Sequence, residues 1–230
     1  PSTDPCFNMA AEEYLLKETD DDFAFIYVND PSIIIGKHQN AYAEVDLSYI
    51  REKGIPLVRR ISGGGTVWHD PGNVNFSFIL NSKAGQQVNF REYAAPVLTY
   101  LQHLMIPAEF GKRNEILVAG KKVSGNAEHV YRNRVLHHGT LLFSSDLQAL
   151  QKALAAAPGK YRDRAVRSVR SQVVNILDFL EPKISVSVFR NDLIVYLIGF
   201  FEGSDRYELS DTDKERIAEL VGQKYNTWQW

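Results

Sequence analysis

The chain has 230 residues, 44% hydrophobic and 23% charged, the balance of a globular protein rather than a disordered one. Lys plus Arg number 26 against 28 Asp plus Glu, a net charge of -2, so no global positive field exists to hold nucleic acid. A single cysteine, Cys6, excludes an internal disulfide framework and any multi-cysteine zinc site. No run approaches the roughly 20 apolar residues of a membrane span. The N-terminal PSTDPCFNMAAEEYLLKE carries acidic residues where a signal peptide carries Lys and Arg. A reducing, cytoplasmic setting is the expectation.

Phe7, Ala11, Tyr14 and Leu15 recur at helical spacing and predict a first helix over 7–18, capped by Ser2, Thr3 or Asp4. FAFIYVN (23–29) and SIIIGK (32–37) read as strands joined by a turn at Asp30-Pro31. A short helix at 46–54 stops at Gly54, and the strand LVRRIS (57–62) runs into three glycines and then a second strand. VNFSFIL (74–80) alternates as a strand, and 90–104 is helical, with an internal proline marking a kink or the true helix start. EILVAG and KKVSG (115–125) read as two short strands around Ala119-Gly120, followed by a strand at 135–144 and a helix at 146–156. The segment 158–172 is basic and lacks apolar periodicity, which predicts a mobile or ligand-dependent loop. Helices at 185–202 and 211–224 follow, giving one α+β domain with a largely antiparallel sheet rather than regular βαβ units.

Familiar phosphate motifs fail. Gly63-Gly64-Gly65 does not complete G-x-G-x-x-G, and Gly120-Lys121 lacks the other positions of a P-loop. His137 and His138 are strand neighbours pointing to opposite faces, so they cannot readily share a metal. What remains is RRISGGGTVWHDPGN (59–73). Glycines without Cβ atoms let backbone N–H groups approach an anion, and an arginine at the loop mouth can fork two donors onto it. The same spacing suits a glycine-rich hairpin with Arg59 and Arg60 on a solvated face. In GKKVSGNA (120–127), strand alternation lets only one of Lys121 and Lys122 enter a site. Two surface lysines would read the same way.

These pieces lie in one order: DPCFNMAAEEYLL (4–16), IIIGKHQNAYAEV (33–45), RRISGGGTVWHDPGN (59–73), GKRNEILVAGKKVSGNA (111–127), HHGTLL (137–142), SVRSQVVNI (168–176) and KYNTWQW (224–230). Together they resemble the lipoate–protein ligase A family, within the biotin and lipoate protein ligases. The resemblance implies a catalytic domain like that of class II aminoacyl-tRNA synthetases, with a central mixed, largely antiparallel sheet flanked by helices. It implies that lipoate and ATP, with Mg²⁺, give lipoyl-adenylate, and that an acceptor lysine then takes the lipoyl group. The implied acceptors are lipoyl domains of 2-oxoacid dehydrogenase complexes and the glycine cleavage H protein.

Carried over by position, Arg60 and the backbone of Gly65, Thr66, Val67 and Trp68 match adenylate-binding residues. Lys122 matches the lysine that touches both phosphate and lipoyl carboxylate. Ser62, Gly63, Gly64, His69, Ala127 and His138 fall at substrate-binding positions. Asn114 and Glu115 match an Asn-Asp pair near the nucleotide and its Mg²⁺; Glu115 is one methylene longer than the family's Asp. The family often carries an Arg at the position of His129. The sequence stops at Trp230, where the family's large catalytic domain ends, so the expectation is one catalytic domain over 1–230. The accessory C-terminal domain is then cut away or carried by a separate chain, or this protein performs only part of the reaction, and lipoate activation is the step most exposed to its loss. The rival readings are an octanoyltransferase working through Cys6 and a non-catalytic domain binding lipoyl-adenylate or an acceptor. A biotin–protein ligase would carry a GRGRRG-type loop, which is absent.

Overall fold

A computed structural model describes residues 2–82, 89–155, 164–227 and 229–230. Helix α1 (Pro5–Lys17) begins where Asp4 accepts a hydrogen bond from the Cys6 N–H and Pro5 supplies a first-turn φ. Strands β1 (Phe23–Tyr27) and β2 (Ser32–Ile35) follow, then the short helix α2 (Ala41–Glu44) and helix α3 (Leu47–Lys53). Asp46 caps α3, and Gly54 ends it in the left-handed region at φ 62°. β3 (Leu57–Arg59), β4 (Val67–His69) and β5 (Asn73–Asn81) lead to α4 (Phe90–His103). β6 (Ala108–Phe110), β7 (Ile116–Val118), β8 (Lys121–Ser124), β9 (Asn126–Tyr131) and β10 (Arg134–Leu142) follow, then α5 (Leu147–Ala153). A 3₁₀ turn (Ile176–Phe179), α6 (Val186–Phe200), α7 (Asp211–Leu220) and a π turn (Val221–Tyr225) complete the order.

Among the described residues the strands form three sheets rather than one. The largest, β1-β5-β10-β9, is antiparallel throughout. The second, β3-β2-β4, is mixed, because β2 pairs in parallel with β3 and antiparallel with β4. The third, β6-β7-β8, is antiparallel. The α+β reading with largely antiparallel pairing therefore holds, while the single central sheet is corrected to three.

Boundaries differ for physical reasons. The strand expected over 57–62 ends at Arg59; Arg60 N–H still bonds to Ile35 O at 3.0 Å, and the chain then turns into the glycines that the Arg60 side chain holds. The helix at 90–104 does not begin at its proline: Asn89 caps it, and Pro96 lies buried inside it. β6 and β9 were not expected; most of β9 is half-buried and its sequence alternates weakly. The last expected helix, 211–224, ends as a π turn. Of the basic loop expected over 158–172, residues 158–163 lie outside the described residues. The part from 164 onward packs against the body: Val166 N–H bonds to His38 O at 3.1 Å, and Lys122 N–H to Gln172 O at 2.9 Å.

Strand alternation gives the largest sheet two different faces. Val74, Phe76 and Phe78 of β5 point to a core shared with Val97 and Leu101 of α4 and Phe189 and Leu193 of α6. Asn73, Asn75 and Ser77 belong to the opposite set, which continues as apolar Ile79 beneath α1. α1 packs there through Met9, Ala10, Leu15 and Leu16, with Ile217 of α7 and Tyr225. A third cluster joins Ile33, Ile35, Val45 and Trp68. Among the described residues, no helix is long and apolar enough to cross a membrane.

Candidate active site

The polar half of that face is the floor of a cavity of about 340 Å³. Tyr27, Asn75 and Thr140 sit in register across β1, β5 and β10, with His138 opposite Ser77 one row away. Met9 and Ile34 line the cavity, the loop 64–67 and strands β8 and β9 supply further wall, and residues 166–169 add the rest of that edge.

The glycine loop is held from inside by Arg60, only 5% exposed. Its Nη2 donates to Gly63 O at 2.5 Å and Gly65 O at 2.8 Å, its Nη1 to Ile34 O at 3.2 Å, and its Nε to Ser62 Oγ at 2.9 Å. Four donor contacts are thus spent on the protein. The guanidinium thereby braces the loop and adds its charge to the cavity wall. Burial brings its pKa down to about 10, with the Glu12 charge opposing, so it remains a cation at neutral pH. Gly64 sits at φ 87°, a conformation open to glycine. Gly36 passes so close that a Cβ there would lie 2.2 Å from Gly64 O.

Behind the loop, Ser62 Oγ lies 2.6 Å from His138 Nε2, and His138 Nδ1 lies 2.8 Å from Glu12 Oε2. Glu12 also accepts from Tyr27 Oη at 2.9 Å and from the Ser77 hydroxyl. Burial alone would raise the Glu12 pKa, but the His138 charge and three hydrogen bonds outweigh it and hold the carboxyl below its usual range. Burial, then the charges of Arg60 and His138, pull His69 down to about 3, so its imidazole is neutral. Its Nδ1 lies 2.9 Å from Asn29 Nδ2, while Asn29 Oδ1 accepts from Asn8 Nδ2 at 2.7 Å. Asn29 therefore donates, and the His69 proton resides on Nε2.

Lys122 contrasts with Arg60. Lys121 is exposed while Lys122 joins the cavity wall, as strand alternation requires. The Lys122 ammonium folds over Gly125, where a Cβ would lie 2.8 Å from Nζ. Nζ has no hydrogen-bond partner among the described residues. Burial lowers its pKa, partly offset by Glu115. Glu115 is the carboxylate in the wall: its Oε2 accepts from Arg113 N at 2.7 Å, and Oε1 lies 3.7 Å from Arg113 Nε. Burial would raise its pKa, but its own and the Arg113 backbone N–H groups, together with the charges of Arg113 and Lys122, bring it below the usual range.

Of the expected residues, Arg60, Gly64, Gly65, Thr66, Val67, His69, Glu115, Lys122, Ala127 and His138 line the cavity. Ser62, Gly63, Trp68 and Asn114 do not. Ser62 and Gly63 stand behind the wall as partners of Arg60. The Trp68 side chain faces the third core cluster and donates to Asp70 Oδ2 at 2.8 Å. Asn114 adopts φ 62° and offers its carbonyl to Asn126 Nδ2 at 2.7 Å, a turn role. Residues not anticipated are Tyr27, Asn75, Asn126, Thr140 and Ser168 in the wall, with Glu12 beneath it. Two signals pointed to them: the polar positions alternating with Val74, Phe76 and Phe78, and a glutamate set among Ala10, Ala11, Leu15 and Leu16. Ser168 closes the loop edge: its Oγ accepts from Thr66 N at 2.8 Å and from Gln39 Nε2 at 3.0 Å.

The family profile described as lipoyl protein ligase A/B catalytic domain matches residues 4–198. Lipoate–protein ligase 1 of Staphylococcus aureus is 42% identical over 230 residues, covering 99% of this chain and 70% of the relative. A structure of a lipoate protein ligase from T. acidophilum with bound lipoic acid superposes with a TM-score of 0.84 at 27% identity, covering 100% and 95% of the two chains. A bipartite ligase from Thermoplasma acidophilum, described with its E2 lipoyl domain, gives 0.82 at 29% identity, with 98% and 90% covered. A lipoate–protein ligase A bound with ATP gives 0.83 at 28%, with 99% and 93% covered. Agreement of sequence and backbone over nearly the whole chain is what descent from a common catalytic domain leaves behind: the chain belongs to the lipoyl protein ligase A/B catalytic-domain family.

Proposed function

We propose that residues 1–230 form a catalytic domain that joins lipoate to ATP and passes the lipoyl group to a lysine of an acceptor lipoyl domain. The supporting observation is the unpaired Lys122 ammonium, which shares one cavity with the glycine loop, while Met9, Tyr27 and Ile34 line apolar wall suited to an acyl tail. In the first step a lipoate carboxylate oxygen bonds to the α-phosphorus, and the bond to pyrophosphate breaks. Two anions meet there, so cationic and backbone donors must offset their repulsion. Lys122 Nζ serves both groups, and Arg60 adds fixed charge. The loop N–H groups supply donors, with Thr66 N–H released from Ser168 Oγ. In the second step the neutral acceptor amine bonds to the acyl carbon, AMP leaves, and the amine loses a proton.

Mg²⁺ fits modestly. Among the described residues no group of three or more His, Cys, Asp or Glu is placed to hold a metal ion. Mg²⁺ bound through substrate phosphates needs only one or two carboxylates, and Glu115 can supply one. The ion would neutralise phosphate charge there.

The Cys6 route is disfavoured. Its thiol lies outside the cavity wall, contacts Tyr225 O at 3.6 Å, and is pushed up to about 11 by burial and then by Asp4. We further infer a cytoplasmic setting. E2 lipoyl domains and the glycine cleavage H protein are the proposed acceptors, and an accessory domain on a separate chain the proposed helper. The test incubates the chain with lipoate, Mg²⁺-ATP and an apo lipoyl domain or apo-H protein, following pyrophosphate and acceptor mass separately. Both products are expected. Neither product would refute the ligase reading, and acceptor modification from supplied lipoyl-adenylate alone would reduce the chain to a transferase.

A further inference from the structure

Asn75 occupies the centre of the cavity floor and is only 1% exposed. Its Oδ1 accepts from Asn73 Nδ2 at 2.8 Å, but its own Nδ2 is buried with no hydrogen-bond partner. An amide donor left this way is costly, so a native protein keeps one only where something else completes it. Its cross-strand neighbours do not. Tyr27 Oη is spent on Glu12 Oε1, and Thr140 Oγ1 accepts from Gly125 N at 3.3 Å. His69, in the same wall, is neutral with its proton on Nε2, so it too offers a donor. Beside Met9 and Ile34, the wall therefore carries two N–H donors, Asn75 Nδ2 and His69 Nε2.

We propose that Asn75 is a specificity-determining residue: its amide N–H, assisted by His69 Nε2–H, reads acceptor atoms of the acyl tail lying over the cavity floor and favours a dithiolane over a plain alkyl chain. The proposal rests on the ligase reading for the substrate class. The disulfide sulfurs of a dithiolane are weak acceptors with polarisable lone pairs, whereas a methyl end offers none and leaves the amide unpaired. The discrimination is accordingly modest, about fivefold, the size of one weak hydrogen bond gained against one donor left bare.

The test measures binding of lipoate and of octanoate to the chain by calorimetry, for the wild type, Asn75→Leu and Asn75→Ser, with folding checked by circular dichroism. The wild type is expected to prefer lipoate, Asn75→Leu to lose about fivefold of that preference, and Asn75→Ser, which keeps an O–H donor, to retain part of it. If Asn75→Leu does not fold, the Asn75→Ser ratio decides. A lipoate-to-octanoate ratio unchanged in the folded variants overturns the proposal. Binding is read apart from turnover, so a wild type that binds selectively but releases no pyrophosphate refutes the ligase reading and leaves this one standing. Binding of neither acid refutes both.

Discussion

Two basic residues, Arg60 just after β3 and Lys122 on β8, divide the work of one cavity. Arg60 gives four donor contacts to Ile34, Ser62, Gly63 and Gly65, whereas Lys122 Nζ gives none to the described residues. A lysine at position 60 could keep the charge but not the planar fork, so the carbonyls of Gly63 and Gly65 would lose donors inside the fold. Arg60→Lys is therefore expected to lower stability by roughly 3 kcal/mol, read as an earlier urea midpoint at unchanged slope. A midpoint equal to that of the wild type would contradict the structural assignment. The sequence placed Arg60 beside the glycines but could not say which way the guanidinium turns. That depends on carbonyls 26 residues upstream as well as three and five downstream. Lys122 was legible, because period-two alternation in KKVS allows one inward lysine, and the structure makes it the second.

At the scale of elements, the glycine loop is shaped by β2 and by the chain leaving it. Gly36 meets Gly64 backbone to backbone, Lys37 N–H bonds to Ser62 O at 2.8 Å, and Gln39 Oε1 accepts from Thr66 Oγ1 at 2.9 Å. Gly36→Ala would drive a methyl group into the Gly64 carbonyl, displacing the loop N–H groups from their ligand geometry. Pyrophosphate release is expected to fall at least about tenfold in kcat/KM, and an unchanged value would count against the loop as the anion cradle. Strong periodicity made α1, β5 and β10 readable before any coordinates. β6 and β9 were missed because three-residue and half-buried strands have little alternation to display. Residues 164–172 looked like a free loop because their order comes from distant partners, Glu44, Gln39, Thr66 and β8, which no local pattern reveals.

Across the whole molecule, buried carboxylates of α1 tie the ends of the chain to the site. Glu13 accepts from Lys224 Nζ at 2.7 Å and Tyr225 Oη at 2.6 Å. Trp230 Nε1 donates to Arg59 O at 2.7 Å, and Arg59 Nη1 reaches Gly36 O at 3.0 Å. Glu12 anchors the sheet side through His138, Ser77 and Tyr27. Its carboxyl lies below the ordinary value of 4.5, so its contribution is present above that pH and is lost as pH falls through the lowered native value. Glu12→Gln is expected to cost roughly 2 kcal/mol near neutral pH, with the gap to the wild type closing under acid in urea titrations. A gap constant with pH would contradict the charged assignment. The order of the blocks made the fold class legible, but the division into three sheets was not, since sheet membership rests on pairings between distant strands.

The central claim is that the Lys122 ammonium, without a hydrogen-bond partner among the described residues, stands where carboxylate and α-phosphate would meet. At about 4 Å and an effective dielectric near 20 such a charge is worth about 4 kcal/mol, and half of that, felt only in the transition state, is about thirtyfold in rate. The direct measurement is pyrophosphate release and acceptor lipoylation by Lys122→Ala and Lys121→Ala, assayed beside the wild type. The account predicts a loss of about thirtyfold or more for the first and near wild-type turnover for the second. Equal effects of the two substitutions would contradict it.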